Sequence, residues 1–273
     1  MTQTRGFAST LIGITCALGT ALVSETTARQ PGLLQSIDPR TCLLGLSALI
    51  LAVTLAHKIA VVAAIFVAAI FLGLASHVAI TTLALRVWLP VLLFTGVIAS
   101  PALFITPGTP VLGTPFGTLH ITSQGLWSAT LLIVRVETAA TLATLLVLTT
   151  PWMGILRALR FWRVPSEVVM MLAMTHRYIF LLAETASQML ESRESRTVGV
   201  LDQSTQRRVM GQTAGVLLGK SMELGNGVYL AMQSRGFRGD APVLTDSHMR
   251  RRDYLMLTVF LASGAVAVWI GRA

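Results

Sequence analysis

Four apolar runs in the first half of the chain and a fifth near its C-terminus dictate the solvent in which it can fold. Leu43 to Ala56, Ile59 to Ala75, Trp88 to Ile105, Leu126 to Thr149 and Tyr254 to Ile270 each approach the ~20 residues that cross ~30 Å of hydrocarbon. His57 and Lys58 alone separate the first two, which predicts a tight helical hairpin. At 53% hydrophobic and 12% charged residues, with mean hydropathy +0.71, a water-facing globule is excluded. No alternating strand pattern is visible, so the expected fold is all-α: a polytopic membrane protein with about five spanning helices. Upstream, Leu11 to Val23 follows Arg5 with the length of a signal-peptide core, but no small-x-small cleavage site follows. Residues 1–36 are therefore read as a retained amphipathic or membrane-embedded segment, ahead of a four-helix transmembrane region over 37–150.

The formal charge of +9 acquires meaning only when mapped. Fourteen of the 21 Lys and Arg residues lie between Arg157 and Arg252, in a region (151–253) where polar and apolar residues mix at helical spacing. The connection from Thr106 to Gly125 carries none. The positive-inside rule puts the basic region and the N-terminus in the cytoplasm and the uncharged connection outside. Residues 254–273 then form the last transmembrane helix. Cys16 and Cys42 lie in apolar surroundings with no CxxC spacing, as small buried hydrophobes do.

Two long amphipathic helices are expected in the basic region. One follows Pro165, with Ser166 as its N-cap and Glu167 in its first turn. Leu182, Thr185, Met189, Ser192 and Arg196 form one stripe at steps of three and four, beside a polar stripe of Glu184, Gln188, Glu191 and Ser195. The other runs from about Thr213 to Arg235, where Leu217, Leu224, Val228 and Ala231 lead to Arg235, and Gly236 suits the C′ position. Each helix thus delivers an arginine at its tip, in Ser195-Arg196-Thr197 and Ser234-Arg235-Gly236. An arginine there also complements the helix macrodipole. Two such tips in one region suit bidentate docking on a partner's carboxylate or carbonyl groups.

Taken together, Leu148-Thr149-Thr150, Arg163-Val164-Pro165, Met174-Thr175-His176-Arg177-Tyr178, Ser195-Arg196-Thr197 and Ala231 to Gly239 resemble CbiQ, the transmembrane T subunit of cobalt energy-coupling-factor transporters. Gly32 to Gln35 and Ile37-Asp38-Pro39-Arg40 resemble the segment leading into that family's first span. Two positions depart from the pattern: Cys42 stands where the family usually has Lys, and Ser192-Arg193 where it commonly has Ala-Arg. The resemblance implies that two coupling helices dock their arginine motifs on two ABC-type ATPase subunits, with Arg196 and Arg235 central and Ser195, Thr197, Ser234 and Gly236 shaping the tips. It implies a separate, CbiM-like substrate-binding membrane subunit for cobalt or nickel, and an inner-membrane location. ATP and Mg²⁺ would be bound by the ATPase partners, with no cofactor in this subunit; related T subunits serve vitamin-binding partners.

The residues are compatible with that. There is no GxxxxGK[ST] loop, and the five histidines show no metal-ligand spacing. Seven of the eleven methionines fall on the expected coupling helices or, for Met210, just ahead of the second, where flexible thioethers suit either a re-packing interface or plain core filling. Arg135 and Glu137 inside the fourth run are costly at membrane depth and point in different directions; they and Arg177 are candidates for contacts with other helices or subunits. A stand-alone secondary transporter would need broken helices or repeated halves, a membrane enzyme a catalytic cluster, and a nucleic-acid binder stacking aromatics among its arginines.

Overall fold

The computed structural model describes residues 32–105, 110–113, 120–196, 202–237 and 249–272, and the isolated positions Gly13, Cys16 and Gly19. The apolar stretch from Leu11 to Val23 lies outside the described residues apart from those three positions, as does Thr197. The chain forms two compact units, one comprising Glu25–Ala158 and Ser247–Ala273 and the other containing Leu159–Asp246.

In the first unit, α1 (Pro39–Leu55) and α2 (Ile59–Ala75) form the expected hairpin about His57 and Lys58. Asp38 caps α1, its carboxylate accepting from the Arg40 N–H, and Pro39 occupies the first turn, where no N–H is needed. Two residues past the end of α2, His77 takes a φ of 54° and Val78 N–H donates back to Gly73, closing the last turn. Its end folds against the chain ahead of α1: Leu33 N–H donates to the Ala75 carbonyl and Leu34 N–H to Ser76 Oγ.

The third run begins earlier than expected, as α3 (Ile80–Leu83), a π turn over Ala84–Trp88 and α4 (Leu89–Ile105). Pro90 supplies the reason. It has no N–H and its ring crowds the carbonyl four residues back, so Leu89 N–H reaches five residues back to Ala84 and the helix widens ahead of the proline. Trp88, at the end of that turn, stacks near Phe66 with 5.6 Å between rings and donates its indole N–H to Thr141.

The uncharged connection contains a short antiparallel ribbon, β1 (Pro110–Gly113) with β2 (His120–Thr122), which no sequence periodicity announced because strands this short carry almost none. The chain remains all-helical in class. The long helix α5 (Ser123–Thr149) follows and packs against α1, α2 and α4. Leu142 and Leu145 on α5 are fully buried with Leu46 and Val53 of α1 and Val62 of α2. The buried hydroxyls of Thr138, Thr141 and Thr149 donate to carbonyls four residues back, so these three enter the apolar core of α5 with their donors met.

Helix α9 (Arg251–Arg272) runs parallel to α1 at a constant offset of 215 residues: Asp253 meets Asp38 and, by the same subtraction, Phe260 meets Gly45 and Gly271 meets Ala56. Small residues make this possible. A Cβ on Gly45 would lie 2.5 Å from the Phe260 ring, and one on Gly271 3.0 Å from the Ala56 backbone. In lipid, where apolar burial drives little, such close approach is what holds helices together.

Outward-facing Phe71, Leu85, Phe94 and Trp269 are each more than two-thirds exposed, far more apolar surface than water tolerates in a monomer. By length and composition Ala84–Pro101, Ser123–Thr149, Ser166–Glu194 and Arg251–Gly271 can each cross a membrane. At 17 residues each, α1 and α2 span about 25 Å, short of a bilayer core but within what local thinning accommodates. These features make the chain a multi-pass membrane protein.

After α5 comes α6 (Trp152–Phe161), a short helix within which the first unit gives way to the second and which the sequence pattern merged into the basic region. It ends on Arg163, held at φ 61°, with Val164 N–H donating to the Leu159 carbonyl.

Candidate functional site

The second unit contains the two long helices, α7 (Ser166–Glu194) and α8 (Gln203–Ser234). Ser166 is not the N-cap of α7: Pro165 takes that place with extended backbone, and its carbonyl accepts from Val168 and Val169. A proline already fixed near the required φ starts the helix without a side-chain cap. Helix α8 begins well before Thr213, because Asp202 caps it through the Ser204 N–H at 3.3 Å.

Exposure separates the two expected stripes of α7 as far as Met189; beyond it Ser192 and Arg196 are exposed like the polar stripe. Glu184, Gln188, Glu191 and Ser195 are exposed, whereas Leu182, Thr185 and Met189 are half-buried and the neighbouring Ser187 and Leu190 buried. On α8, Leu217, Leu224 and Val228 are half-buried, while Ala231 and Arg235 are exposed. The facing sides leave an apolar groove of about 730 Å³ between the helices, lined by Met170, Met171, Met174, Leu182, Leu224 and Met232 among others. Four of the seven methionines singled out from the sequence thus meet in one groove. Tyr178 belongs to its wall, and the adjacent exposed Arg177 places its guanidinium 5.8 Å from the Tyr178 ring centre.

Both tips end in hydrogen-bonded turns. At the first, Ser195 N–H donates to Glu191, Arg196 N–H to Arg193, and Ser195 Oγ to Ser192, 3.0 Å away. At the second, Ser234 Oγ donates to Leu230 at 2.7 Å, Gly236 takes φ 78°, and Phe237 N–H reaches the Met232 carbonyl. That 6→1 bond around a left-handed residue is the helix-ending motif in which glycine avoids the Cβ clash. Arg196 and Arg235 are exposed, and neither has an ion-pair partner among the described residues. Each guanidinium fork is therefore presented from a turn whose backbone N–H groups are already engaged.

Sequence reasoning missed one feature of α8. Gly211, Gly215 and Gly219 recur at four-residue steps on its exposed surface, and a Cβ on any of them would meet open space. Glycine inside a helix costs up to ~1 kcal/mol each, and nothing in this unit's own packing requires it. The GxxxGxxxG spacing was the available signal; it marks a bare backbone strip on which another helix can approach closely.

In the first unit, the Arg135 guanidinium donates to the Ala56 carbonyl, sealing the C-terminal end of α1. Glu137 is 6% exposed, and neither of its carboxyl oxygens has a hydrogen-bond partner among the described residues. The two residues do not pair with each other, and α5 turns them toward different surroundings. Among the described residues no three His, Cys, Asp or Glu side chains converge as a metal site.

Against known proteins, residues 32–245 match the family model described as CbiQ, cobalt transport protein. An uncharacterised protein of Methanocaldococcus jannaschii is 30% identical over 91% of this chain and 86% of its own length. The cobalt transport protein CbiQ of Rhodobacter capsulatus is 32% identical over 75% of this chain and 80% of its own. The nickel permease LarQ of Lactiplantibacillus plantarum is 33% identical over 45% of this chain and 42% of its own.

Proposed function

The chain belongs to the CbiQ family of cobalt transport proteins, and on that premise we propose that it is the transmembrane coupling subunit of an energy-coupling-factor importer for cobalt or nickel ions. Two ABC-type ATPase subunits bind ATP and Mg²⁺ and move; this subunit, itself non-catalytic and without a cofactor, passes the motion to a separate CbiM-like membrane subunit that holds the metal substrate.

The observation that carries this reading is the pair of arginine tips. Arg196 and Arg235 stand exposed at the ends of two long helices of one unit, each on a turn whose backbone is hydrogen-bonded. A planar five-donor fork held this way suits a carboxylate or a set of carbonyls on a protein surface, and lysine would not replace it. The methionine-lined groove and the glycine strip on α8 support the second half of the proposal. Polarisable thioethers re-pack at low cost and bare backbone admits a neighbouring helix, so a partner can shift without losing contact. In this reading the tips face the cytoplasm across the inner membrane, which the concentration of Lys and Arg in their region supports.

The test combines Arg196→Glu and Arg235→Glu in the complete transporter. We expect membrane insertion to persist, ATPase subunits to stop co-purifying, and metal uptake to fall to background, with each Arg→Lys variant intermediate. Wild-type uptake by the double charge-reversal would overturn the proposal.

A further inference from the structure

Helix α6 has no part in the coupling argument, yet its composition is unusual for a connector. It begins just after α5 ends, with only Thr150 and Pro151 between them, and a Cβ on Gly154 would lie 2.7 Å from Pro39. Its N-terminal half therefore sits at the face of the membrane unit where α1 starts. Leu156 and Ala158 are buried. Flanked by these buried positions, Met153, Arg157 and Arg160 recur at steps of four and three, with Phe161 four after Arg157, so they share one face, on which the two arginines are half-buried. Met153 is 57% and Phe161 54% exposed, and Trp162 in the following turn 38%. Arg163 then takes φ 61°, a conformation glycine adopts without strain and arginine does not.

Three arginines at three-residue intervals, interleaved with exposed Met, Phe and Trp at the end of a membrane-crossing helix, match the chemistry of a headgroup layer. Phosphates take the guanidinium forks, and the acyl boundary takes the apolar side chains. Tryptophan and arginine are also what membrane proteins place at that depth. An acidic protein surface would satisfy the arginines but leave the apolar side chains facing its polar rim.

We propose that α6 is a membrane-surface anchor, in which Arg157, Arg160 and Arg163 bind the phosphates of anionic phospholipid while Met153, Phe161 and Trp162 enter the acyl boundary. Arg157 supports the geometry by donating its Nε–H to the Met153 carbonyl at 3.3 Å, which aligns its stem along this face. The anchor is independent of how the arginine tips engage their partners, and rests only on the chain's passage through a membrane.

The experiment uses the full-length chain in nanodiscs and in detergent, with retained lipid counted by native mass spectrometry. Wild type should retain phosphatidylglycerol over phosphatidylcholine, and Arg157→Gln/Arg160→Gln/Arg163→Gln should lower phosphatidylglycerol retention by ~10-fold or more, as expected for three charges near an anionic surface. Arg163→Gly keeps the turn and should give a partial loss at unchanged helix content, which separates lipid binding from misfolding if the triple variant is unstable. Millimolar inorganic phosphate should not displace the lipid. Three results would each overturn the proposal: phosphatidylglycerol held equally by wild type and the Arg163→Gly and triple variants, complete displacement by free phosphate, or loss of co-purifying ATPase subunits with lipid retention intact.

Discussion

Asp253 shows how much one carboxylate can organise. It is buried at the start of α9 and accepts the Asp38 N–H at 3.1 Å and the Arg250 N–H at 2.8 Å, so it caps its own helix and ties α1 to it. We expect Asp253→Ala to cost about 1–2 kcal/mol, the scale of a lost N-cap, read as a lower unfolding temperature in detergent. Asp253→Asn, which keeps an accepting oxygen, should recover more than half of that; an alanine variant as stable as wild type would reject this role. The Asp38-Pro39-Arg40 motif was visible in the sequence, but the partner of its backbone lies 215 residues away, beyond the reach of any local pattern. Gly236 was legible for the opposite reason, since a C′ position is defined by the helix immediately before it. Arg135 was visible as an anomaly in an apolar run, and only folding could reveal the Ala56 carbonyl as its acceptor.

At the scale of elements, α1 and α9 meet through an absent side chain. The Phe260 ring occupies the space where a Gly45 Cβ would stand, at 2.5 Å. Gly45→Val should therefore push the helices apart at a cost of about 1–3 kcal/mol, typical of overpacking. Combining it with Phe260→Ala, which empties the same space, should restore part of the loss, and the two substitutions should be non-additive in thermal unfolding. Strict additivity would mean that the helices do not share this contact. Helix existence was readable from apolar runs and stripes, and α2 begins and ends where its run does. Boundaries moved wherever a cap or proline intervened: Pro90 widened the third helix into a π turn, Pro165 displaced Ser166 from the cap of α7, and Asp202 started α8 early. Helix α6 went unseen because ten residues of mixed polarity resemble the basic region around them.

On the scale of the whole molecule, the parallel course of α1 and α9 makes a topological statement about the membrane unit. Their N-termini, at Arg40 and Arg250, share one face, and the His57–Lys58 turn lies with Gly271 at the other, where His57 N–H donates to the Gly271 carbonyl at 3.2 Å. Single cysteines at Lys58 and Arg272, in a chain lacking Cys16 and Cys42, should be labelled by an impermeant maleimide from the same side, and cysteines at Arg40 and Arg250 only from the opposite side. Labelling of the Lys58 and Arg272 positions from different sides would contradict the parallel pair. The amino-acid sequence by itself determined the solvent, the helical class, the basic region and its two arginine-tipped helices, because each is written in composition or in a period of three to four residues. Tertiary structure alone decided which helices lie side by side, that Arg135 closes α1, and that methionines from two helices share one groove. Those relations depend on contacts between residues distant in the chain, and in lipid they are settled by shape and close backbone approach rather than by any hydrophobic pattern that a sequence displays.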